Sequence, residues 1–300
     1  MSTPPTGILT SFFYYPRFDF SRVPDGVPLI LDSGAFSAYT LGKHISLTEY
    51  AEWASSLTGR YLFALNLDVL GDGDKSLRNW EKLERAGVAT APVVHFGARA
   101  DRVIPPYIEQ GADTITLGGI AVSGAGKQVR AWAAHILSWL HEHAPHVRTH
   151  GLGVHSSSPL ARLPFTTIDS STPTNAYRFA RLYLLDPFTR KWATVKLDGR
   201  DVYRYGRALR FYGVEPEQVA RSTAQTRPAI IRLLANIETE AALHYRRTYG
   251  ARTNFTAHAG DFAATVTHAE QARQTFFVDG SPDHLTQYAR HAYTKIQEPV

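Results

Sequence analysis

The sequence predicts an α/β fold in which buried parallel strands alternate with helices, either closed as a (β/α)8 barrel or spread as an open doubly wound sheet. Three observations predict it. Short, nearly continuous apolar runs recur through the first 170 residues, as strands covered on both faces require. Segments with helical spacing lie between those runs. The chain has 300 residues, 44% of them hydrophobic, enough to bury one large core.

The apolar runs are Gly7–Tyr15, Val27–Asp32, Tyr61–Asp68, Thr90–Phe96, Thr114–Gly119, Arg148–Val154 and Phe165–Ser170. Ser46-Leu47-Thr48-Glu49 is a capping-box pattern that opens a helix over Leu47–Leu57. Lys75–Arg85 is amphipathic and runs up to Gly87, placed to end it. Val129–His143 sets Trp132, Ile136, Leu137, Trp139 and Leu140 mostly on one side. The order changes after Asp169. Arg181–Leu197 predicts a β-hairpin around Asp186-Pro187-Phe188-Thr189. Asp201–Tyr212, Pro228–Tyr249 and Pro282–Ile296 predict helices, and residues 250–280 are weakly patterned. An eighth strand is expected around Leu209–Val214. The whole chain, 1–300, is expected to be one domain, with 1–180 as its core and 181–300 completing it.

Composition excludes several chemistries. The chain has no cysteine, so disulfides, thiolate metal sites and thiol catalysis are excluded. No apolar stretch approaches the roughly 20 residues of a membrane span, and no secretion signal opens the chain. A soluble, cytoplasmic protein is expected. The formal charge of +5 is uneven. Residues 1–150 carry 13 basic and 14 acidic side chains, and residues 151–300 carry 19 and 13. Between Arg178 and Arg252 the count is 15 basic against 7 acidic. Arginines there interleave with Tyr177, Phe179, Tyr183, Trp192, Tyr203, Tyr205, Phe211 and Tyr212. Arginine pairs with phosphate and stacks on bases, so the stretch suits a polyanion. A solvated basic face with a few core aromatics is the plainer explanation.

The ends of the apolar runs carry the chemistry. Asp32 ends one run and is followed by Ser33-Gly34-Ala35-Phe36. Asp68, His95, the Gly118-Gly119 pair and Asp169 end others, and His150-Gly151-Leu152-Gly153 occupies the run between the last two. In a barrel these ends converge on one face, where sites are built. Taken singly, each has a structural explanation. A strand-end aspartate is commonly a cap or turn residue, a glycine a backbone accommodation, and a lone histidine a satisfied core residue.

In this order the residues resemble the tRNA-guanine transglycosylase family. Asp32-Ser33-Gly34-Ala35-Phe36 resembles its Asp-Ser-Gly-Gly-Phe/Tyr motif, and Asp68 falls where the family has a guanine-reading aspartate. Leu117-Gly118-Gly119-Ile120-Ala121 resembles its Gly-Gly-Leu-Ala motif, and His150-Gly151-Leu152-Gly153-Val154 its Met-Gly-Val-Gly segment. Ile168-Asp169 followed by Pro173-Thr174 and Arg178 resembles the nucleophile segment. The likeness covers residues 28–180. It departs from the family in lacking the Cys-x-Cys-x-x-Cys zinc site, whose place the Arg181–Leu197 hairpin takes. His95 stands for a glutamine, His150 for a methionine and Asn175 for an arginine. A short version without zinc is most similar to the bacteriophage DNA-guanine transglycosylases.

The resemblance implies a TIM-like (β/α)8 barrel, irregular at its last strand, with a β-hairpin and helical C-terminal additions. It implies base exchange: guanine in DNA is replaced by a 7-deazaguanine base such as preQ0 through a covalent aspartyl intermediate. Asp169 is then the nucleophile and Asp32 the general acid/base. Asp68 reads the guanine edge, with Ser33, Gly34, Gly118, Gly119, Ile120 and His95 around the base. Phe36 and His150 stack on it. Arg178, Asn175 and Arg181 hold the nucleic-acid backbone. No metal or cofactor is implied. The partners are DNA and a free 7-deazaguanine base, with no membrane, and a phage-encoded protein would act in the host cytoplasm. Exchange in tRNA, a nucleic-acid-binding barrel without catalysis, and a phosphate-binding barrel enzyme for a small metabolite are the alternatives.

Overall fold

The computed structural model describes residues 6–120, 126–172, 175–249 and 275–279. It is a mixed α/β architecture of parallel strands and helices. The strands are β1 (Thr6–Ser11), β2 (Leu29–Asp32), β3 (Phe63–Leu65), β4 (Thr90–Ala91), β5 (Val93–His95), β6 (Thr114–Gly118), β7 (Arg148–Gly151), β8 (Thr167–Ser170) and β11 (Thr275–Asp279), with the hairpin strands β9 (Arg181–Leu185) and β10 (Trp192–Lys196) apart from them. The helices are α1 (Ala35–Thr40), α2 (Leu47–Ser55), α3 (Gly73–Arg85), α4 (Ala100–Val103), α5 (Pro105–Glu109), α6 (Lys127–His143), α7 (Asn175–Phe179), α8 (Asp201–Arg204), α9 (Gly206–Phe211) and α10 (Arg227–Tyr249).

Nine strands form one sheet in the order β4-β3-β2-β1-β11-β8-β7-β6-β5, and all of its pairs are parallel. The strands at the two ends of that order, β4 and β5, are separated in the chain by Pro92 alone. Asn66 N donates to Ala91 O (2.9 Å) on one side, and Thr116 N donates to Pro92 O (2.9 Å) on the other. Proline has no N–H for a ladder, and the sheet is interrupted there.

Side-chain alternation divides the buried residues between two faces. Ile8, Leu29, Leu31 and Ala64 belong to the large core that also holds Trp80, Leu83 and Leu137 of the helices. Leu9, Ile30, Phe63, Leu65 and Ala91 form a second, smaller cluster. Burial on both faces is why the strands lack polar alternation.

Several helix boundaries follow local signals. Ser46 Oγ accepts from Glu49 N (3.3 Å) at the start of α2. Asp72 caps α3 by accepting from Lys75 N (2.9 Å), and Gly87 follows that helix with φ +77°. The hairpin forms as expected, with Asp186 Oδ1 accepting from Phe188 N and Thr189 N in its turn. The long α10 docks through polar contacts. Ser156 Oγ donates to Glu238 (3.1 Å), Tyr245 Oη to Ser156 O (3.0 Å) and Asn236 Nδ2 to Tyr212 O (2.6 Å).

One expectation is corrected. Leu209–Val214 is no strand: Leu209 lies in α9, and Tyr212 turns back by donating to Ala208 O and Leu209 O. The strand between β1 and β8 is β11, pairing Thr6–Leu9 with Phe276–Asp279 and Thr167–Ser170 with Thr275–Val278. Leu209 and Val214 are buried against the helical core instead. The helix expected over Pro282–Ile296 lies outside the described residues, as do Ala121, Pro173 and Thr174 of the resembling motifs. Among the described residues no helix is long and apolar enough to cross a membrane.

Candidate active site

A cavity of about 480 Å³ opens at the C-terminal ends of the parallel strands, within the roughly 300–1,000 Å³ range of small-molecule sites. Its lining includes Asp32, Asp68, His95, Gly118, Gly119 and Asp169. Asp32 and Asp169, 137 positions apart in the chain, therefore meet in one chamber. Parallel strands deliver their ends to the same side, which is why the convergence occurs.

Asp32 is placed by a tight turn. Its Oδ1 accepts from Gly34 N (3.0 Å). Gly34 has φ +78°, and a Cβ there would lie 2.4 Å from Phe13 Cβ and 2.7 Å from Ser11 Oγ. Only glycine makes this turn without displacing the β1 end. Ser33 does not reach the cavity lining. It is buried, donating from Oγ to Asn66 O (3.0 Å) while accepting from Ala35 N (3.3 Å), so it ties the β2 end to the β3 end. Burial pushes the Asp32 carboxyl up from 3.8 to about 6; the Gly34 N–H opposes that, and the charges of Asp169 and Asp68 add to it.

Asp169 sits in a different environment. It is 7% exposed, and its Oδ1 accepts both from Gly153 N (2.9 Å) and from His150 Nε2 (3.1 Å). Oδ2 has no hydrogen-bond donor among the described residues. Two N–H groups thus converge on one carboxylate oxygen. The two acids thus divide: one is driven toward neutrality, the other supplied with donors.

Asp68 is tied to His95, whose Nε2 donates to Oδ2 at 2.5 Å. Each carboxylate oxygen has two lone pairs, so Asp68 keeps acceptor capacity toward the cavity. Gly118 makes room for this pair: a Cβ there would lie 2.7 Å from Val93 Cγ1 and 3.3 Å from His95 Nδ1. Gly119 also lines the cavity, whereas Ile120 is fully buried and outside the lining.

Two half-open aromatic rings line the chamber, Phe36 (51% exposed) and Phe96 (36% exposed). The stacking position expected of His150 does not fit its location. His150 is 0% exposed, absent from the lining, and edge-on to Phe63 with ring centres 5.5 Å apart. The pleat of β7 turns it toward Phe63 of the smaller cluster, with Nε2 3.1 Å from Asp169 Oδ1. Phe96 is the second ring instead, held edge-on by Trp132 (5.5 Å). In the sequence it follows His95 as an ordinary end to an apolar run and carries no signal of its own. Gly153, Leu70 and Leu152 also line the chamber; Gly153 belongs to the His150–Val154 motif, but the donor role of its N–H emerges only from the contact with Asp169.

The proposed backbone-binding residues lie outside the chamber. Arg178 is exposed in the last turn of α7, its guanidinium 5.7 Å from the Phe179 ring, and Arg181 opens β9 exposed. Asn175 begins α7, and its side chain lies outside the described residues. The arginine-rich stretch is mixed in role. Phe179, Tyr203 and Phe211 are exposed, and Arg207 lies 3.9 Å over the exposed Phe188 ring. Tyr212 is core, donating from its hydroxyl to Leu185 O (2.7 Å). Tyr183 and Trp192 pack on His155, at 5.2 and 5.6 Å. Arg190 and Arg210 are paired with Glu240 and Glu215. No known family profile matches this sequence, and neither does any curated protein.

Proposed function

We propose that this chain is a base-exchange transglycosylase that replaces guanine in DNA with a 7-deazaguanine base. The reading includes a closed (β/α)8 barrel, in which β4 and β5 act as one strand broken at Pro92. The hydrogen bonds of Ala91 and Pro92 to opposite neighbours support that closure. The observation that carries the function is the unequal pair of carboxylates in one chamber, Asp32 raised to about 6 and Asp169 held by two N–H donors. Environments that separate two acids assign their roles.

Asp169 Oδ2 attacks C1′ of the target nucleotide while the bond from C1′ to the guanine nitrogen breaks. The bonding pair leaves with guanine, and the Asp32 carboxyl gives it a proton. The incoming base then returns a proton to Asp32, and its nitrogen displaces Asp169 from C1′. Asp68 accepts hydrogen bonds from the N1–H and amino group of guanine, an edge that adenine cannot match. Gly118 and Gly119 bring backbone close to the base, and Phe36 and Phe96 offer faces for stacking. A base must leave the duplex stack to enter such a chamber, so a flipped or single-stranded nucleotide is bound. Arg178, Arg181 and the exposed arginine–aromatic surface supply the phosphate contacts.

Asp169→Asn is expected to abolish a denaturation-resistant protein–DNA adduct and guanine exchange together. Wild-type exchange by that variant rejects Asp169 as nucleophile. Comparing duplex DNA, single-stranded DNA and tRNA in the same assay tests the polymer; exchange confined to tRNA overturns the DNA assignment.

A further inference from the structure

We infer that His150 is a positioning residue that aims the Asp169 carboxylate at the sugar, an inference that rests on the transglycosylase reading. Thr167 and Asp169 are two residues apart on β8 and share its inner face. His150 pairs with Thr167 across the β7–β8 ladder. Its ring therefore spans both side chains, with Nδ1 2.7 Å from Thr167 Oγ1 and Nε2 3.1 Å from Asp169 Oδ1.

The chain of donors sets the direction of each bond. An ionised Asp169 accepts only, so Nε2 carries a proton and donates it. In a neutral ring Nδ1 is then the acceptor, and the Thr167 hydroxyl donates to it. Phe63 packs edge-on against the ring, and the ring is wholly buried, so it has no room to turn. Gly153 N donates to the same oxygen as His150. Both donors therefore hold Oδ1, and Oδ2 keeps its lone pairs for C1′. When the ester forms, Oδ1 becomes its carbonyl oxygen and keeps both donors. When the incoming base displaces Asp169, those donors receive the returning negative charge. His150 touches no substrate atom in this scheme and acts through Asp169.

The test uses the full chain with four substitutions. His150→Met keeps bulk and removes the donor; His150→Gln keeps an N–H. Thr167→Val removes the hydroxyl, and Thr167→Ser retains it. His150→Met is expected to lower kcat for base exchange about 100-fold, the scale of losing one oriented donor, with KM for DNA unchanged. His150→Gln is expected to recover most of that loss, and Thr167→Ser to exceed Thr167→Val. Nitrogen-15 NMR of the ring is expected to show a protonated Nε2 and a bare Nδ1, with the Nε2–H signal moving in Asp169→Asn. Wild-type kcat in His150→Met overturns the inference. So does an equal loss in the Gln and Met variants, or a proton on Nδ1. An inactive wild type overturns the reaction itself, and the NMR signature then decides the His150–Asp169 contact independently.

Discussion

At the residue scale, the site sets stability against reactivity. Asp32 has a folded-state pKa of about 6 against 3.8 unfolded. A raised acid binds its proton more tightly when folded. Its contribution to stability is therefore full below about 3.8 and is lost as pH rises through about 6. The shift corresponds to at most about 3 kcal/mol, and less in practice because Asp32 borders an open chamber whose solvent screens it. Asp32→Asn removes that penalty. It is expected to raise the melting temperature at pH 7–8, to change it little at pH 4, and to abolish base exchange. Calorimetry at the two pH values checks this; an equal change at both would mean that burial of the charge is not the cause. On the proposed reaction, the exchange rate is expected to decline on the alkaline side, since the neutral carboxyl would protonate the departing guanine.

At the element scale, the proposed grip on a polymer falls to the hairpin and its neighbouring helices. Arg190 and Arg210 are occupied by carboxylates, and Arg207 lies over Phe188. Arg178 and Arg181 are exposed in the segment that follows β8 in the chain, and the proposed reading gives them the phosphates flanking a nucleotide seated on Asp169. Replacing both with alanine is expected to weaken DNA binding at low salt and to reduce the slope of log affinity against log salt by about 2, close to one per lost phosphate contact. Base preference should not move. A titration series over salt concentration measures the slope, and an unchanged slope would remove these two arginines from the interface.

At the scale of the whole molecule, β11 is the element on which the sheet depends. It supplies the strand between β1 and β8. Ending the chain after Tyr249 is expected to expose both strand edges and to abolish cooperative unfolding, with dye binding to exposed apolar surface and aggregation. A sharp thermal transition at the wild-type temperature in that truncation would show that β11 contributes little. Removing one strand from the middle of such an order leaves two unpaired rows of N–H and C=O groups, whose pairing is obligatory when buried.

Local patterns carried much of this architecture. Seven apolar runs marked eight of the nine strands of the sheet, the Thr90–Phe96 run holding both β4 and β5, because parallel strands are buried on both faces and show it in composition. Polar residues at their ends marked Asp32, Asp68, His95 and Asp169, and the cavity lining contains all four. Longer-range features left no such mark. Thr275–Asp279 is too short a run to stand out, and it becomes a strand because two edges need a partner. The bond of His95 to Asp68 joins residues 27 apart, and that of His150 to Asp169 residues 19 apart. Period-two alternation tells which residues share a face, but not whether that face meets solvent, a ligand or another side chain. His150 is fixed by Phe63 and Asp169, and Phe96 by Trp132, through contacts between residues distant in the chain. The strand-end acids were thus legible from spacing alone, while their unequal environments exist only once distant N–H groups and charges are brought around them.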